Sequence, residues 1–326
     1  MLSTRQPDGL DALLQRREST SNPSLSQRYA QSSSFPFFVF STIYHLLRHV
    51  PLPPTVLPLT DHTKIRLVCV SDTHNRILPP SDIPEGDVFV HAGDLTHSGS
   101  AEELQKTLDW LRSLPHQHKV FIAGNHDAGL AANQRSALDM SGLIYLCDEG
   151  VDITVRGRML RIYGSPWTPK HGNFAFQYPR DAGQAQWSKL VSESTLSVSE
   201  PKRRLDVLIT HGPPKGHVDY SGHGCDALLD AIWRVKPKVM ICGHIHAGRG
   251  MEVLEWDEGQ RLWESVVRAR NTVGWRGMVV GIWKLGYTRL GPLIGRTQPD
   301  TSYILNCASL GGVRDDIVRP AVVLDV

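Results

Sequence analysis

The sequence predicts an α/β fold, and the prediction rests on the apolar runs and on the segment that separates two of them. Six short runs rich in Val and Ile each end in Gly or a polar residue, as strands buried on both faces do. These runs are KIRLVCV (64–70), GDVFVHA (86–92), KVFIAG (119–124), LDVLITH (205–211), KVMICG (238–243) and SYILNCA (302–308). Strands that alternate with helices indicate an α/β sandwich.

The segment between the second and third runs, SAEELQKTLDWLRSLP, is predicted to be a helix. Ser100 and Glu103 have the spacing of a capping box, and Pro115 ends the helix. Apolar side chains recur at helical spacing, at Leu104, Leu108 and Leu111.

The composition is that of an ordinary globular protein of 326 residues, with 40% apolar residues and a formal net charge of +2. This charge neither demands nor excludes nucleic acid, and it predicts no broad electrostatic funnel. The five cysteines lie far apart without a CxxC pair, so we expect small core residues in a reducing compartment. No secretory signal is visible in the polar, charged residues 1–34, and we expect an intracellular, cytoplasmic protein.

The chain is predicted to divide into a disordered N-terminal extension and linker, residues 1–60, with a short apolar segment at 35–47, and one domain, residues 61–326. Residues 1–34 are rich in Ser, Gln and Arg, which predicts disorder, and PLPPTVLP (51–58) predicts a stiff linker. FPFFVFSTIYHLL (35–47) is too short to span a bilayer. We expect it to be packed on the domain or loosely ordered, and peripheral association with a membrane surface is the alternative.

Residues 251–300 are predicted to be an insertion between two strands. The stretch carries four of the eight tryptophans and, from residue 261 to 300, seven Arg or Lys against two acids. We expect a helical or hairpin decoration packed by its tryptophans. A lid, or a surface that contacts a membrane or a partner, is the alternative.

Polar residues follow five of the predicted strands, at the point where each strand ends. The clusters are SDTHN with Asp72 and His74, HAGDLTH with Asp94, GNHD with Asn125 to Asp127, THGPP with His211, and GHIH with His244 and His246. Each cluster alone is an ordinary turn or loop. Together they would converge on one crevice, because ligand sites in open α/β folds form at the carboxyl ends of the strands.

Burying this many titratable groups together is costly unless a metal centre compensates for it. Carboxylates, imidazoles and one amide without a thiolate suit Mn, Fe, Zn or Mg and argue against a structural zinc site. Seven candidate ligands are too many for one ion and suit two ions about 3.5–4 Å apart. Two such ions would polarise a phosphoryl oxygen and activate a bridging water for attack on phosphorus.

In this order, the clusters resemble the pattern of the calcineurin-like metallophosphoesterases: D-x-H, GD, GNH(D/E), H and G-H-x-H. The stretches RIYGSPW and LITHGPP are similar to a narrower subgroup, the metallophosphoesterase-domain-containing proteins. The resemblance covers roughly residues 64–250, with a shorter echo at YILNCAS. It implies a four-layer α/β/β/α sandwich with the metal site at the carboxyl ends of the strands.

Carried over residue by residue, the resemblance implies a role for each cluster. Asp72, His74 and His246 would hold one metal, and Asn125, His211 and His244 would hold the other. Asp94 would bridge both. His126 would contact the phosphate and protonate the leaving oxygen as the general acid.

One stretch departs from the protein Ser/Thr phosphatase branch of this family. That branch has GDxxDRG, in which the second Asp pairs with the catalytic His and the Arg grips phosphate. Here the stretch is GDLTHSG, so His97 replaces that Asp and no Arg follows. This is similar to the diesterase and nuclease members. His97 would bind a phosphodiester or be a loop residue, and Trp167 in GSPW would stack on a base or pack internally.

The resulting expectation is a dinuclear metal-dependent hydrolase of phosphoester bonds, with a metal-bridging hydroxide as the nucleophile. A phosphodiesterase is favoured over a phosphomonoesterase, and two Mn ions are favoured over Fe, Zn or Mg. The substrate would be a phosphoester small molecule or a nucleotide, and no protein partner is evident. The alternative is a catalytically weak or inactive scaffold with the same fold that binds metal or nucleotide. His217 and His223 are expected to be loop residues, with contact to substrate as their alternative role.

Overall fold

The computed structural model describes residues 29, 32–50, 64–131, 135–195, 204–220, 222–269, 274–290, 300–311 and 316–326. The strands in the first half of the chain are β1 (His49–Val50), β2 (Arg66–Val70), β3 (Val88–His91), β4 (His118–Phe121), β5 (Ile144–Tyr145), β6 (Glu149–Val155), β7 (Arg158–Ser165), β8 (Thr168–Pro169) and β9 (Gln177–Tyr178). Those in the second half are β10 (Val207–Thr210), β11 (Val239–Cys242), β12 (Gly250–Glu255), β13 (Thr301–Asn306), β14 (Leu310–Gly311), β15 (Ile317–Val318) and β16 (Val322–Asp325). All six predicted strands are therefore present.

The α-helices connect or flank these strands. They are α1 (Phe35–Arg48), α2 (Ala101–Ser113), α3 (Gly183–Gln186), α4 (Ser188–Thr195), α5 (Asp226–Val235), α6 (Glu258–Arg268) and α7 (Trp275–Leu290). The predicted helix between the second and third runs is α2. Ser100 caps it by accepting a hydrogen bond from the Glu103 backbone N–H at 3.2 Å.

The strands form two main sheets. One has the order β16–β2–β3–β4–β5, in which β2 to β5 are parallel and β16 is antiparallel. The other has the order β1–β12–β13–β11–β10–β7–β6, in which β13, β11, β10 and β7 are parallel. The antiparallel strands β6, β12 and β1 lie at its margins. The central strands of each sheet therefore end at a common edge.

Side chains that alternate along each strand build two layers of core. Leu67 and Val90 of the five-stranded sheet share one apolar cluster with Ile209 and Leu305 of the seven-stranded sheet. The neighbouring residues face outward, because successive side chains of a strand point to opposite faces. The two sheets therefore pack face to face.

Helices cover the outer face of each sheet. Leu104 and Leu108 of α2 pack on Val68 and Phe89 of the five-stranded sheet. The outer face of the seven-stranded sheet packs against α4 and α5 through residues that include Leu190, Leu229 and Ile232. The layers run helix, sheet, sheet, helix, so the predicted four-layer α/β/β/α sandwich is confirmed.

The segment 35–47 and the stretch 251–300 meet in the structure. Residues 250–255 form strand β12 of the large sheet, so the helical part of the second stretch begins only at Glu258, in α6. Helix α1 packs on α6 and α7, with the Tyr44 ring stacked on Trp263 at a centroid distance of 4.1 Å. Gly281 of α7 allows close approach to α1, because a Cβ there would lie 2.5 Å from the Phe40 ring.

Two expectations concern parts of the chain outside the described residues: disorder over most of residues 1–34 and the linker 51–58. Among the described helices, none is both long and apolar enough to cross a membrane. All five cysteines are free thiols, and four of them are buried.

Candidate metal centre

The polar clusters that follow the strands meet where the ends of the two sheets come together. A parallel bridge between Ser71 and Ala308 joins the end of β2 to the segment after β13. The structure brings together all of the predicted ligands and the predicted acid: Asp72, His74, Asp94, Asn125, His126, His211, His244 and His246. They come from five loops that are far apart in sequence.

One group consists of Asp72, His74 and His246, whose candidate ligand atoms all lie within 4.8 Å of one another. His246 Nε2 is 3.3 Å from Asp72 Oδ1. His74 Nδ1 donates to the Thr96 carbonyl at 3.1 Å, so Nε2 is the nitrogen that faces the centre. Such a hydrogen bond fixes the ring and its tautomer, as it commonly does for metal-binding histidines.

A second group consists of Asp94, His211 and His244, also within 4.8 Å of one another. His211 Nδ1 donates to the Ala92 carbonyl at 2.9 Å, which again leaves Nε2 toward the centre. That Nε2 lies 3.0 Å from Asn125 Oδ1 and 3.3 Å from Asp94 Oδ2. Asp94 Oδ2 is also 3.8 Å from His74 Nε2, so Asp94 lies between the two groups.

The charges of these buried side chains are strongly coupled. Burial would raise the pKa of Asp72, but the hydrogen bond and charge of His246 outweigh it and hold that pKa well below its ordinary value. Burial likewise opposes ionisation of Asp94, yet His211 lowers its pKa to about 2. Burial lowers the pKa of His244 to about 3, with the charge of His211 adding to the effect. The centre therefore keeps its carboxylates ionised and His244 neutral, which is the state in which each binds a metal ion. Burial would lower the pKa of His211, but Asp94 raises it to about 9, so His211 would release a proton on binding metal.

The backbone at the centre takes conformations that are costly for most residues. Asp72, His74, Asp94 and His244 all have φ between 42° and 67°, in the left-handed region. Such conformations persist where the surrounding structure enforces them, and they cluster at functional sites. Gly243 allows the GHIH loop to approach its neighbours, because a Cβ there would lie 2.1 Å from Asp72 Oδ2.

The predicted acid, His126, lies beside both groups. Its backbone N–H donates to Asp94 Oδ1 at 2.8 Å, and its ring packs edge-on against His74 at a centroid distance of 4.8 Å. Nδ1 donates to the His97 carbonyl at 2.8 Å. Because a carbonyl oxygen only accepts, Nδ1 carries a proton and Nε2 is the nitrogen left for a substrate.

The two predicted substrate contacts have different surroundings. The exposed His97 ring stacks on His126 at a centroid distance of 5.7 Å, so it borders the centre. Trp167 packs edge-on against Phe176. It also contacts the apolar clusters on the outer faces of both main sheets. Its indole nitrogen is buried with no hydrogen-bond partner among the described residues. The structure thus places His97 beside the predicted acid and Trp167 in an apolar contact.

A family model described as calcineurin-like phosphoesterase matches residues 65–248, more than half of the 326 residues. The chain belongs to the calcineurin-like phosphoesterase family. The matched range contains all five clusters of the centre, so the predicted membership is confirmed.

Curated proteins from animals and a fungus are similar to this chain. Metallophosphoesterase domain-containing protein 1 of Homo sapiens is 37% identical over 218 residues, which cover 57% of this chain and 62% of that protein. A UPF0046 protein of Caenorhabditis elegans is 35% identical over 219 residues, covering 58% of this chain and 71% of that protein. A protein of Emericella nidulans named probable rhamnogalacturonate lyase C is 37% identical over 331 residues, covering 97% of this chain and 29% of that protein. The chain thus spans less than two thirds of the human and fungal proteins.

The residues of this calcineurin-like phosphoesterase fit a pair of divalent cations. The donor set combines two carboxylates, one amide and four imidazoles, which suits Mn, Fe or Zn. His74 and His211 both direct Nε2 inward because their Nδ1 atoms are bonded to backbone carbonyls. Asp94 has a position from which it can serve both groups.

The role of Asp127 in GNHD was not foreseen from the sequence. Its buried carboxylate accepts hydrogen bonds from the backbone N–H groups of Leu95, Thr96 and Gly124 at 2.8–3.1 Å, and from the Thr96 hydroxyl at 2.7 Å. Burial, together with the charge of Asp94, raises the pKa of Asp127 to about 6. Asp127 therefore fixes the loop that carries Asp94 against the loop that carries Asn125.

Two other contributions were also missed. Asn306, the polar end of the run SYILNCA, donates through Nδ2 to the carbonyls of Ile245 at 2.9 Å and Val218 at 3.0 Å. It therefore supports the GHIH loop, and the only sequence signal was an Asn closing an apolar run.

The segment between β8 and β9 places Phe174 5.1 Å from the His126 ring and His171 4.8 Å from the His244 ring. Only the position of this segment just after GSPW hinted at the site.

Proposed function

We propose that this protein is a phosphodiesterase that uses two divalent metal ions, with Mn²⁺ favoured, on a small phosphoester or nucleotide. The observation that carries the proposal is the arrangement of two ligand groups, each within 4.8 Å, beside an imidazole with one nitrogen left for substrate. Neither of these two groups needs that imidazole to hold its cation, although His126 also clusters with His74 and His97.

Each ligand group would hold one cation. Asp72, His74 and His246 would hold the first, Asn125, His211 and His244 would hold the second, and Asp94 would contact both. When bound, the pair of cations would polarise a phosphoryl oxygen and lower the pKa of a coordinated water. The two buried carboxylates, Asp72 and Asp94, supply negative charge that offsets part of the positive charge of two divalent cations.

His126 supplies the proton for the leaving group. Its hydrogen bond to the His97 carbonyl and its packing against His74 hold the ring in place, so Nε2 can meet the leaving oxygen. Proton transfer to an alkoxide or phenoxide leaving group removes the charge that would otherwise build up on it. General acid catalysis of this kind typically contributes about 10²–10⁴ in rate.

The wall around His126 favours a diester over a monoester. A diester carries a second organic group, which needs an apolar or aromatic surface next to the phosphorus. Phe174 is 46% exposed beside His126 and stacks on His171 at a centroid distance of 5.4 Å. His97 offers a second imidazole beside His126, in the stretch that lacks the Asp and Arg typical of protein phosphatases.

Hydrolysis of bis-p-nitrophenyl phosphate and p-nitrophenyl phosphate with Mn²⁺ tests the proposal. We expect faster cleavage of the diester, loss of activity with a chelator, and a fall of about 10²–10⁴ in kcat for His126→Ala with metal content unchanged. His118→Ala is the matched control, because His118 lies at the opposite end of β4 and should leave kcat unchanged.

Other outcomes would redirect or overturn the proposal. Preference for the monoester would make the protein a phosphomonoesterase. Full metal occupancy without turnover of either substrate would favour a binding scaffold. Absence of metal binding would overturn the assignment of both ligand groups.

A further inference from the structure

Helix α7 exposes an apolar stripe although it is packed on the protein. Trp275, Val279, Val280 and Trp283 are 62%, 59%, 46% and 63% exposed. Their spacing places them on one side of the helix, because residues three or four apart share a face: Trp275, Val279 and Trp283 are four apart, and Val280 is three before Trp283. The other side of α7 is buried through Met278 and Leu285. This helix therefore has two apolar faces, and the described protein covers only one of them.

Helix α1 extends the stripe into a patch. The Phe35 ring is 49% exposed and lies 5.8 Å from the Trp275 ring. Tyr29, 56% exposed, contacts Phe35 and Phe38 edge-on. Single exposed apolar residues are common on soluble proteins, but a contiguous patch of large side chains from two helices marks an interaction site. We call this set of residues on α1 and α7 the aromatic face.

The charged residues of helices α1 and α7 are all basic. Neither α1 nor α7 contains an Asp or Glu in its sequence. Arg276 is exposed next to Trp275. Lys284 follows Trp283 and pairs with Glu258 of α6 at 3.1 Å. The face therefore combines indoles, aliphatic side chains and an exposed guanidinium.

We propose that the aromatic face docks on the surface of a membrane that contains anionic lipids. Trp side chains favour the boundary between headgroups and acyl chains, and a nearby cation is attracted to anionic headgroups. The helix would lie on the surface, since no described helix is long and apolar enough to cross a bilayer. This proposal does not depend on the phosphodiesterase activity.

A second copy of the chain is a poorer occupant of the same face. A two-fold dimer sets the same patch against itself. Two basic patches would then be brought together, with no carboxylate on α1 or α7 to neutralise them. A lipid surface supplies the missing negative charge.

Co-sedimentation of the full chain with phosphatidylcholine vesicles, with and without phosphatidylserine, tests the proposal. We expect binding that requires phosphatidylserine and weakens with salt. The double change Trp275→Ser with Trp283→Ser should reduce binding at least tenfold. Met159→Ser is the matched control, because Met159 is 50% exposed on β7, away from both helices, and its loss should change nothing.

Reversing the charge of one residue distinguishes binding to anionic lipid from non-specific hydrophobic adsorption. Arg276→Glu should reduce binding to phosphatidylserine vesicles about tenfold or more, because each charge near such a surface is worth roughly fivefold. Lys106→Glu on α2, in the opposite outer layer, should change it less than twofold.

Two results would overturn the proposal. Vesicle binding that is unchanged in the double Trp variant would show that this face does not contact lipid. Light scattering that shows a dimer lost in the double Trp variant, with no vesicle binding in wild type, would identify a second copy as the occupant.

Discussion

His217 is a fully buried imidazole between two carboxylates, and it predicts a specific pH dependence of stability. Nδ1 donates to Glu252 of β12 at 3.1 Å, and Nε2 lies 3.3 Å from Glu264 of α6. Both ring nitrogens therefore face carboxylate oxygens, an arrangement that favours the doubly protonated imidazolium. Helix α1 is connected to these residues through Gln260 of α6, which donates to Glu264 at 3.0 Å and accepts a hydrogen bond from Tyr44 of α1 at 3.1 Å.

The two carboxylates outweigh the cost of burying the charge. Burial alone would lower the pKa of His217, but the hydrogen bonds and charges of Glu252 and Glu264 raise it from 6.5 to about 9. A difference of this size corresponds to about 3 kcal/mol of folding free energy. Below pH 6.5 the histidine is protonated in both folded and unfolded chains, so the contribution is complete. It is lost as the pH rises through 9, where the folded protein also gives up the proton.

We predict that His217→Gln removes this pH dependence. Gln is neutral throughout, so the difference in unfolding free energy between wild type and variant should shrink by about 3 kcal/mol from pH 6 to pH 10. Urea unfolding followed by circular dichroism, in one metal-free buffer series, measures both proteins. Titration of groups that do not interact with His217 cancels in the difference.

His223→Gln provides the control within the same loop. His223 is exposed and donates to the Tyr220 carbonyl, so this change should leave the pH dependence of wild type intact. A difference between wild type and His217→Gln that stays constant from pH 6 to pH 10 would refute the reasoning. It would mean that His217 does not hold a proton between the two carboxylates.

Three further changes test the metal centre. Gly243→Ala would place a Cβ 2.1 Å from Asp72 Oδ2, so metal affinity measured by titration calorimetry should fall at least tenfold. Gly286→Ala is the control, because a Cβ there meets nothing within 4 Å and metal affinity should be unchanged. Asp127→Asn replaces one of two carboxylate oxygens that each accept two hydrogen bonds. The free energy of unfolding should fall by about 2–4 kcal/mol, and metal affinity should fall with it. Unchanged values would show that the hydrogen bonds of Asp127 are not needed to hold the two loops together. Phe174→Ala should raise KM for bis-p-nitrophenyl phosphate by roughly threefold to tenfold with a smaller effect on kcat; an unchanged KM would remove the ring from the substrate wall.

The sequence predicted what depends on local pattern. Strands such as β2 and β11 are short apolar runs with a polar end, and parallel order then brings those ends to one edge. The fold class followed correctly from the same pattern. Residues such as Asp94 and His211 could be placed at that edge without knowing any distance, because each directly follows a strand.

Contacts between distant parts of the chain could not be predicted in this way. Glu264 lies in a helix rich in charge, where an isolated Glu is normally exposed, yet it is buried against His217, 47 positions earlier. The stretch 251–300 was expected to be one insertion, but its first residues complete the large sheet as β12. Which side of α7 is buried also depends on α1, more than two hundred residues earlier in the chain.

One loop links the metal centre to the helices outside the sandwich. It begins at His211, passes through the buried His217 and returns to the core at Cys225, which bridges to Pro214. The Asn306 side-chain amide donates one hydrogen bond to the carbonyl of Val218 in this loop and another to the carbonyl of Ile245 in the GHIH loop. The loop is therefore fixed at its start by the centre and in its middle by the charged group under α6. Glu252 of β12 and Glu264 of α6 contact His217 in this loop, and α1 packs on α6. These elements lie outside residues 65–248, which the family model matches, and they therefore help to order a loop that carries the predicted metal ligand His211.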